Sequence, residues 1–333
     1  MSGLERYGWD RGWADTLPEG TRPARVVRAD RGRLLLVSDA GEEVVDAVAD
    51  ATAGDWVALG PPATRVLPRR SALRRASASG RSTEQVLAAN VDVVAVTVSL
   101  ALDPNLARVE RLLTLAWDSG AVPAVVLTKA DLAPDAEDVA SDVAAAAPGV
   151  AVLIVSALTG RGLDEVRALL PAGRTAVLVG QSGVGKSTLV NALAGDQLVA
   201  VAGIGSGGKG RHTTTSRELL PLPWGAVLLD TPGLRGVGLI DADEGFARAF
   251  PEIEELAEQC RFNDCAHATE PGCAVLAAVE GGTLAWRRLE SWRKLERELA
   301  YAARRVDARL AAEERARWKA LGLEVRRSGR IRP

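Results

Sequence analysis

Cysteine is scarce in this chain. Its 333 residues hold three, too few for a disulfide scaffold. Histidine is scarcer still, at two. No apolar run reaches bilayer length: the longest, VDVVAVTVSLAL (Val91 to Leu102), is too short to span a membrane and carries Asp92. The opening MSGLERYGWDRGW lacks the apolar core of a signal peptide. Neither sign of charge prevails, with 41 Lys plus Arg against 43 Asp plus Glu and a formal net of −2. That balance excludes a uniformly basic nucleic-acid binder while leaving room for basic patches. At 47% hydrophobic and 25% charged, the chain can build sizeable cores and is not disordered throughout. The expectation is a soluble, cytoplasmic, monomeric protein of two or three domains with no membrane partner.

From about Arg22 to Leu67 the runs RPARVVRAD, RGRLLLVSD, GEEVVDAVAD and GDWVALG are β-rich and broken by Gly, Asp or Pro, which predicts a small β-barrel. Thr64 to Arg81 holds six arginines (Arg65, Arg69, Arg70, Arg74, Arg75, Arg81) and no acid, and reads as an exposed linker that would also suit a phosphate-rich partner. From Val91, apolar strands alternate with helices. VDVVAVTV, AVVLT, VAVLIV, TAVLV and AVLLD predict a parallel sheet covered on both faces. A helix follows Asp103, which is placed to cap it, and ends at Gly120. Beyond Asp241 the pattern is helical around a Cys/His knot. The tail from Leu284 to Pro333 carries 15 Lys/Arg against 7 Asp/Glu, interleaved with Trp286, Trp292 and Trp318. Such a tail suits RNA, through charge and stacking, or is an amphipathic helix with buried tryptophans.

GQSGVGKS (Gly180, Gln181, Ser182, Gly183, Val184, Gly185, Lys186, Ser187), followed by Thr188, links a strand to a helix. Its glycines let backbone N–H groups surround phosphate oxygens. Lys186 reaches the β and γ phosphates, and the Ser187 hydroxyl ligates Mg²⁺. DTPG (Asp230 to Gly233) ends the next apolar strand, where Asp230 can hold Mg²⁺ through water and Gly233 can donate to the γ-phosphate. Between them GIGSGGKGRHTTT (Gly203 to Thr215) offers Thr214 to complete the Mg²⁺ shell. TKAD presents Thr128, Lys129 and Asp131 after a strand. The Asp131 carboxylate can accept from guanine N1 and N2, and adenine lacks that donor pair. SALTG adds Ser156 and Ala157, with a backbone N–H for guanine O6. Each short match is weak alone. Together, at the ends of parallel strands, they favour GTP over ATP. Their order is permuted, because the guanine motifs precede the phosphate loop.

CRFNDCAHATEPGC gathers Cys260, Cys265, His267 and Cys273, all the cysteines and one of the two histidines, within 14 residues. Three thiolates and an imidazole make a closed structural Zn²⁺ site, the alternative being three buried thiols.

These motifs, with TKAD, SALTG, GQSGVGKST, GRHTTT, DTPG and C-x4-C-x-H-x5-C in one chain, resemble the RsgA (YjeQ) family of small ribosomal subunit biogenesis GTPases. The segment EQVLAANVD (Glu84 to Asp92) is similar as well. The resemblance implies an OB-fold β-barrel, a circularly permuted α/β P-loop GTPase domain and a helical zinc-binding domain. It places them at 22–68, 86–245 and 246–333, with an N-terminal extension (1–21) and an Arg-rich linker (69–85). It implies GTP hydrolysis to GDP and phosphate, stimulated by the small ribosomal subunit, with contacts to rRNA. Lys186 and Thr214 would act in catalysis. His212 either orients the attacking water or positions the switch loop, and Leu234 stands where Ras-like GTPases place a glutamine. Thr128 replaces the commoner Asn, which removes a side-chain amide from the guanine site. Gly183 stands where potassium-activated GTPases carry Asn. A second reading of the same motifs is a nucleotide-gated RNA-binding protein with incidental turnover.

Overall fold

The computed structural model describes residues 3–61, 63–76, 84–195, 218–230 and 242–306. Ahead of the barrel, a 3₁₀ turn at Glu5–Tyr7 and helix α1 (Arg11–Ala14) pack inward, burying Leu4, Tyr7 and Trp13. The barrel strands are β1 (Arg22–Asp30), β2 (Arg33–Ser38), β3 (Gly41–Asp46), β4 (Trp56–Leu59) and β5 (Arg65–Val66). β1 pairs antiparallel with β2 and β4, β2 with β3, and β4 with β5. Period-two alternation turns Ala24, Val26, Leu34, Leu36, Val57 and Leu59 into the interior. Among the described residues β3 pairs only with β2, so Glu42, Glu43 and Asp46 charge an edge strand, where they discourage pairing with another chain. Arg22 grips Glu43 through two bonds of 2.6 and 2.7 Å.

In the arginine-rich stretch Arg65, Arg70 and Arg74 are exposed, as expected, but the backbone is not a free linker. β6 (Ala72–Ala76) pairs antiparallel with β7 (Glu84–Ala89), and Ser71 and Leu73 are buried. Arg69 holds the buried carboxylate of Asp55 through bonds of 2.7 and 2.8 Å, and Arg70 holds Asp10 through two of 2.6 Å. The acids that compensate these cations come from other elements, which a local charge count does not register.

The alternating region forms β8 (Val93–Ser99), α2 (Leu106–Asp118), β9 (Val122–Thr128), α3 (Ala136–Ala145), β10 (Ala151–Ile154), α4 (Leu163–Leu169), β11 (Thr175–Val179), α5 (Lys186–Ala194), β12 (Glu218–Pro221) and β13 (Val227–Asp230). The sheet runs β10-β9-β8-β11-β13-β12-β1-β2-β3. From β10 to β13 the pairing is parallel, and β12 lies antiparallel on β13. Val94, Val96, Val125 and Leu127 face the side packed by Val109 and Leu113 of α2, while Val93, Ala95, Ala124 and Val126 face Leu163, Val166, Leu189 and Val190 of α4 and α5. Two-sided burial explains the unbroken apolar strands. Asn105, not Asp103, caps α2, accepting at 3.0 Å from the Arg108 N–H. No sequence pattern announces β12, yet it carries the sheet on into the barrel.

Helices α6 (Asp243–Ala249), α7 (Pro251–Ala257), α8 (Ala274–Glu280) and α9 (Trp286–Val306) complete the described chain. Of the two readings of the basic tail, Trp292 and Arg288 follow the amphipathic helix, since both are interior. Trp292 packs on Phe246, and Arg288 binds Glu110 of α2, Glu252 of α7 and two backbone carbonyls. Trp286 is exposed. Among the described residues no helix is long and apolar enough to cross a membrane.

Candidate nucleotide site and Cys/His cluster

Parallel strands deliver their C-terminal ends to one edge of the sheet, where ligands bind in open α/β folds. At that edge lie Thr128 at the end of β9, Ser156 just past β10, Gly180 just past β11 and Asp230 at the end of β13. The phosphate loop turns from β11 into α5, whose N-terminal amides point toward it. Gly180 is required there, since a Cβ at that position would stand 2.4 Å from the Thr97 carbonyl oxygen. Gly185 enters the helix at φ +101°, in the left-handed region that glycine tolerates. Lys186 Nζ donates to the carbonyls of Gly180 (2.9 Å) and Gln181 (2.6 Å), so its ammonium lies over the loop that would surround phosphates. Ser187 is half-buried in the first turn of α5, and Gln181, Ser182, Gly183 and Thr188 are exposed.

The guanine motif is tied to this loop. The Thr128 hydroxyl donates to the Val184 carbonyl at 2.5 Å, and Lys129 Nζ donates to the Gly183 carbonyl at 2.7 Å. Thr128 therefore does not leave a gap where an amide is missing; its side chain braces the phosphate loop from the guanine side. Asp131 is exposed and accepts from the buried Ser156 hydroxyl at 2.5 Å, which joins the TKAD and SALTG loops. The Ala130 N–H donates to the Val155 carbonyl at 3.1 Å and keeps the two loops level. Ala157 follows directly in the turn. No spacing in the sequence reveals the Thr128–Val184 contact, which spans 56 positions. His212, Thr214 and Gly233 lie outside the described residues, as does the side chain of Asp230.

In the Cys/His knot, one ligand atom from each of Cys260, Cys265, His267 and Cys273 falls within 4.8 Å of every other. His267 Nδ1 is 3.6 Å from Cys260 Sγ and 3.5 Å from Cys273 Sγ, and those sulfurs are 3.8 Å apart. Tetrahedral Zn²⁺ with bonds of about 2.0–2.3 Å sets its ligands about 3.5–3.8 Å apart, so the set fits. Burial holds the His267 imidazole below its usual range, favouring the neutral form that ligates metal. Trp292 meets that ring edge-on at 5.4 Å, and the Arg293 guanidinium donates to the His267 carbonyl. Glu270 shapes the loop between ligands by accepting from backbone N–H groups, among them Ala268 and Thr269, which brings its carboxyl down to about 2. Cys273 also caps α8, accepting from the Leu276 N–H.

Comparison with known proteins agrees with this geometry. Residues 66–240 match the family model described as RsgA GTPase. The chain is 52% identical to the small ribosomal subunit biogenesis GTPase RsgA of Streptomyces coelicolor, over 98% of this chain and 97% of that one. It is 43% identical to the small ribosomal subunit biogenesis GTPase RsgA 2 of Lactiplantibacillus plantarum, over 86% of each. Among solved structures, YjeQ from Thermotoga maritima superposes with a TM-score of 0.62 at 26% identity, covering 84% of this chain and 98% of that one. The circularly permuted GTPase YloQ, at 24% identity and a TM-score of 0.56, shares the fold. With phosphate and guanine loops at one sheet edge in permuted order, the chain belongs to the RsgA GTPase family and is a GTP hydrolase.

Proposed function

We propose that this protein hydrolyses GTP to GDP and phosphate while bound to the small ribosomal subunit, as a monomeric cytoplasmic factor in late assembly that contacts rRNA. The bracing of the phosphate loop by the guanine motif, Thr128 on Val184 and Lys129 on Gly183, carries the reading, because it makes base identity and phosphate binding parts of one site. The Asp131 carboxylate accepts from guanine N1 and N2, and Lys129 lays its stem along the base. A backbone N–H of the Ser156–Ala157 turn serves guanine O6. Backbone amides from Gln181 to Thr188 surround the phosphates, and Lys186 moves from loop carbonyls to the β and γ oxygens. Ser187 and Thr214 would hold Mg²⁺, with Asp230 contributing through water, and the ion would supply charge stabilisation to the phosphates. Gly233 donates to the γ-phosphate. Leu234 has no polar group for water, so His212 is the side chain assigned to orient it. The knot holds one structural Zn²⁺ through Cys260, Cys265, His267 and Cys273, with no position open for chemistry.

The test is steady-state GTP turnover with and without purified small subunits, for wild type and His212→Ala. Stimulation of about tenfold or more, lost in the variant, is expected; tenfold corresponds to about 1.4 kcal/mol of transition-state stabilisation supplied by docking. Unchanged turnover on addition of subunits sinks the assignment. Stimulation that persists in His212→Ala removes only that residue's role.

A further inference from the structure

The barrel and the nucleotide site share one continuous sheet, and the join falls at a revealing level. β1 begins as a barrel strand, with Arg22 to Arg25 paired to Leu59 to Trp56 of β4. Its register on β2 then shifts between Val26 and Arg28, a bulge that bends the strand and re-aims its second half. Immediately past the bulge β1 has a different partner, and Arg28 lies opposite Glu218, the first residue of β12. Glu218 in turn lies opposite Asp230 on β13. Arg28, Glu218 and Asp230 thus occupy one row across three strands, from the barrel to the first residue of DTPG. Glu218 also stands only a few positions after Thr214, so the row touches the flanks of both nucleotide-sensing segments.

The side chains reinforce the backbone row. Arg28 reaches Glu218 at 3.6 Å and Asp30 at 2.9 Å, and each of the three is about one-third to one-half exposed. A cation shared between two carboxylates at a single-pair junction can be redistributed at little cost, since exposed ion pairs contribute about 0–1 kcal/mol. That is too weak to be the main clamp between barrel and sheet, and it suits a contact whose strength depends on the position of β12.

We propose that Arg28 and Glu218 are positioning residues that couple the nucleotide state to the barrel. On this reading, any change at the nucleotide site that displaces β12 passes through the Arg28–Glu218 pairing and the bulge into β1 and β2. This rests on the GTPase reading of the site, and not on the ribosomal partner.

The test compares amide hydrogen exchange of residues 22–38 in the full chain bound to GDP and to a non-hydrolysable GTP analogue. Wild type, Arg28→Gln, Glu218→Gln and the double variant are measured alongside thermal midpoints and subunit-free GTP turnover. In wild type, exchange near the bulge differs between nucleotides by about two- to fivefold, the range one exposed ion pair supports. Each single variant loses most of that difference, the double loses no more than either single, and turnover and midpoints stay near wild type. Identical exchange in the two nucleotide states of wild type overturns the proposal. So does a nucleotide difference that survives in both single variants, or one lost only together with the thermal midpoint, which would make the pair merely structural. Failure of subunit stimulation in the turnover assay would instead count against the ribosomal assignment and leave this comparison intact.

Discussion

At the scale of single residues, burial decides which contacts matter. Arg161–Glu137 and Arg167–Asp164 are short but exposed, and pairs of that kind contribute about 0–1 kcal/mol each. Thr128 is different, being nearly fully buried with its hydroxyl on the Val184 carbonyl. Thr128→Val keeps the shape and removes that donor. A neutral hydrogen bond of about 0.5–1.5 kcal/mol then predicts nucleotide affinity about two- to twelvefold weaker. GTP and GDP should suffer equally, since Val184 lies in the loop both share, and the preference for guanine over adenine should hold because Asp131 is untouched. Titration with fluorescent guanine and adenine nucleotides reads all three. Affinity within twofold of wild type would mean that the phosphate loop stands without this brace.

At the scale of elements, α2 and α9 are held by a buried network. The Glu110 carboxylate on α2 is fully buried and accepts from Arg287 at 2.7 Å and Arg288 at 2.9 Å; Arg288 is itself almost fully buried and also bonds Glu252. Removing one partner of a buried pair strands the other charge, which costs about 3–5 kcal/mol. Glu110→Ala should therefore lower unfolding free energy by about 3 kcal/mol, whereas Arg287→Ala, at an exposed guanidinium, should cost less than about 1 kcal/mol. Urea denaturation of both variants separates these values, and equal losses would contradict the network as described. The sequence shows the elements far better than it shows this join. Apolar runs bounded by Gly and Asp give away every parallel strand from β8 to β11, and the phosphate loop, TKAD and the Cys/His knot can each be read from spacing within 14 residues. Arg288 reads as one more cation of a basic tail because Glu110 is 178 positions away. β12 escapes for a related reason, since four residues ending in proline carry little pattern and owe their pairing to β13 and β1.

At the scale of the whole molecule, the described part of the stretch that reads only as an extension, residues 3–21, bolts three units together. Trp9 meets Trp56 of the barrel edge-on at 4.8 Å, and Trp13 lies 6.1 Å from the same ring. Asp10 binds Arg70 of the connecting hairpin, whose guanidinium stacks 4.2 Å over Trp13. Gly8 packs against the Gly173 carbonyl at the entry to β11, so closely that a Cβ would stand 2.5 Å from that oxygen. Behind this segment the guanidinium of Arg25 is fully buried, donating to the carbonyls of Tyr7 and Asn90, and burial lowers its pKa to about 10. The indole of Trp13, 3% exposed, joins Arg70 on one side to Trp56 of the barrel on the other. Trp13→Ala should then cost about 3–5 kcal/mol, the range for removing a buried aromatic. The loss should be concentrated at the seam, because the face of β8 to β11 packed by α4 and α5 has a core of its own, and only the α2-side face is continuous with Trp13 and Trp56. Calorimetry is therefore expected to show the barrel melting ahead of the GTPase sheet in the variant, with guanine nucleotide raising the later transition and not the earlier one. A variant that melts in a single transition, shifted as a whole and fully rescued by nucleotide, would mean that the seam is held from the GTPase side and that the N-terminal segment only covers it.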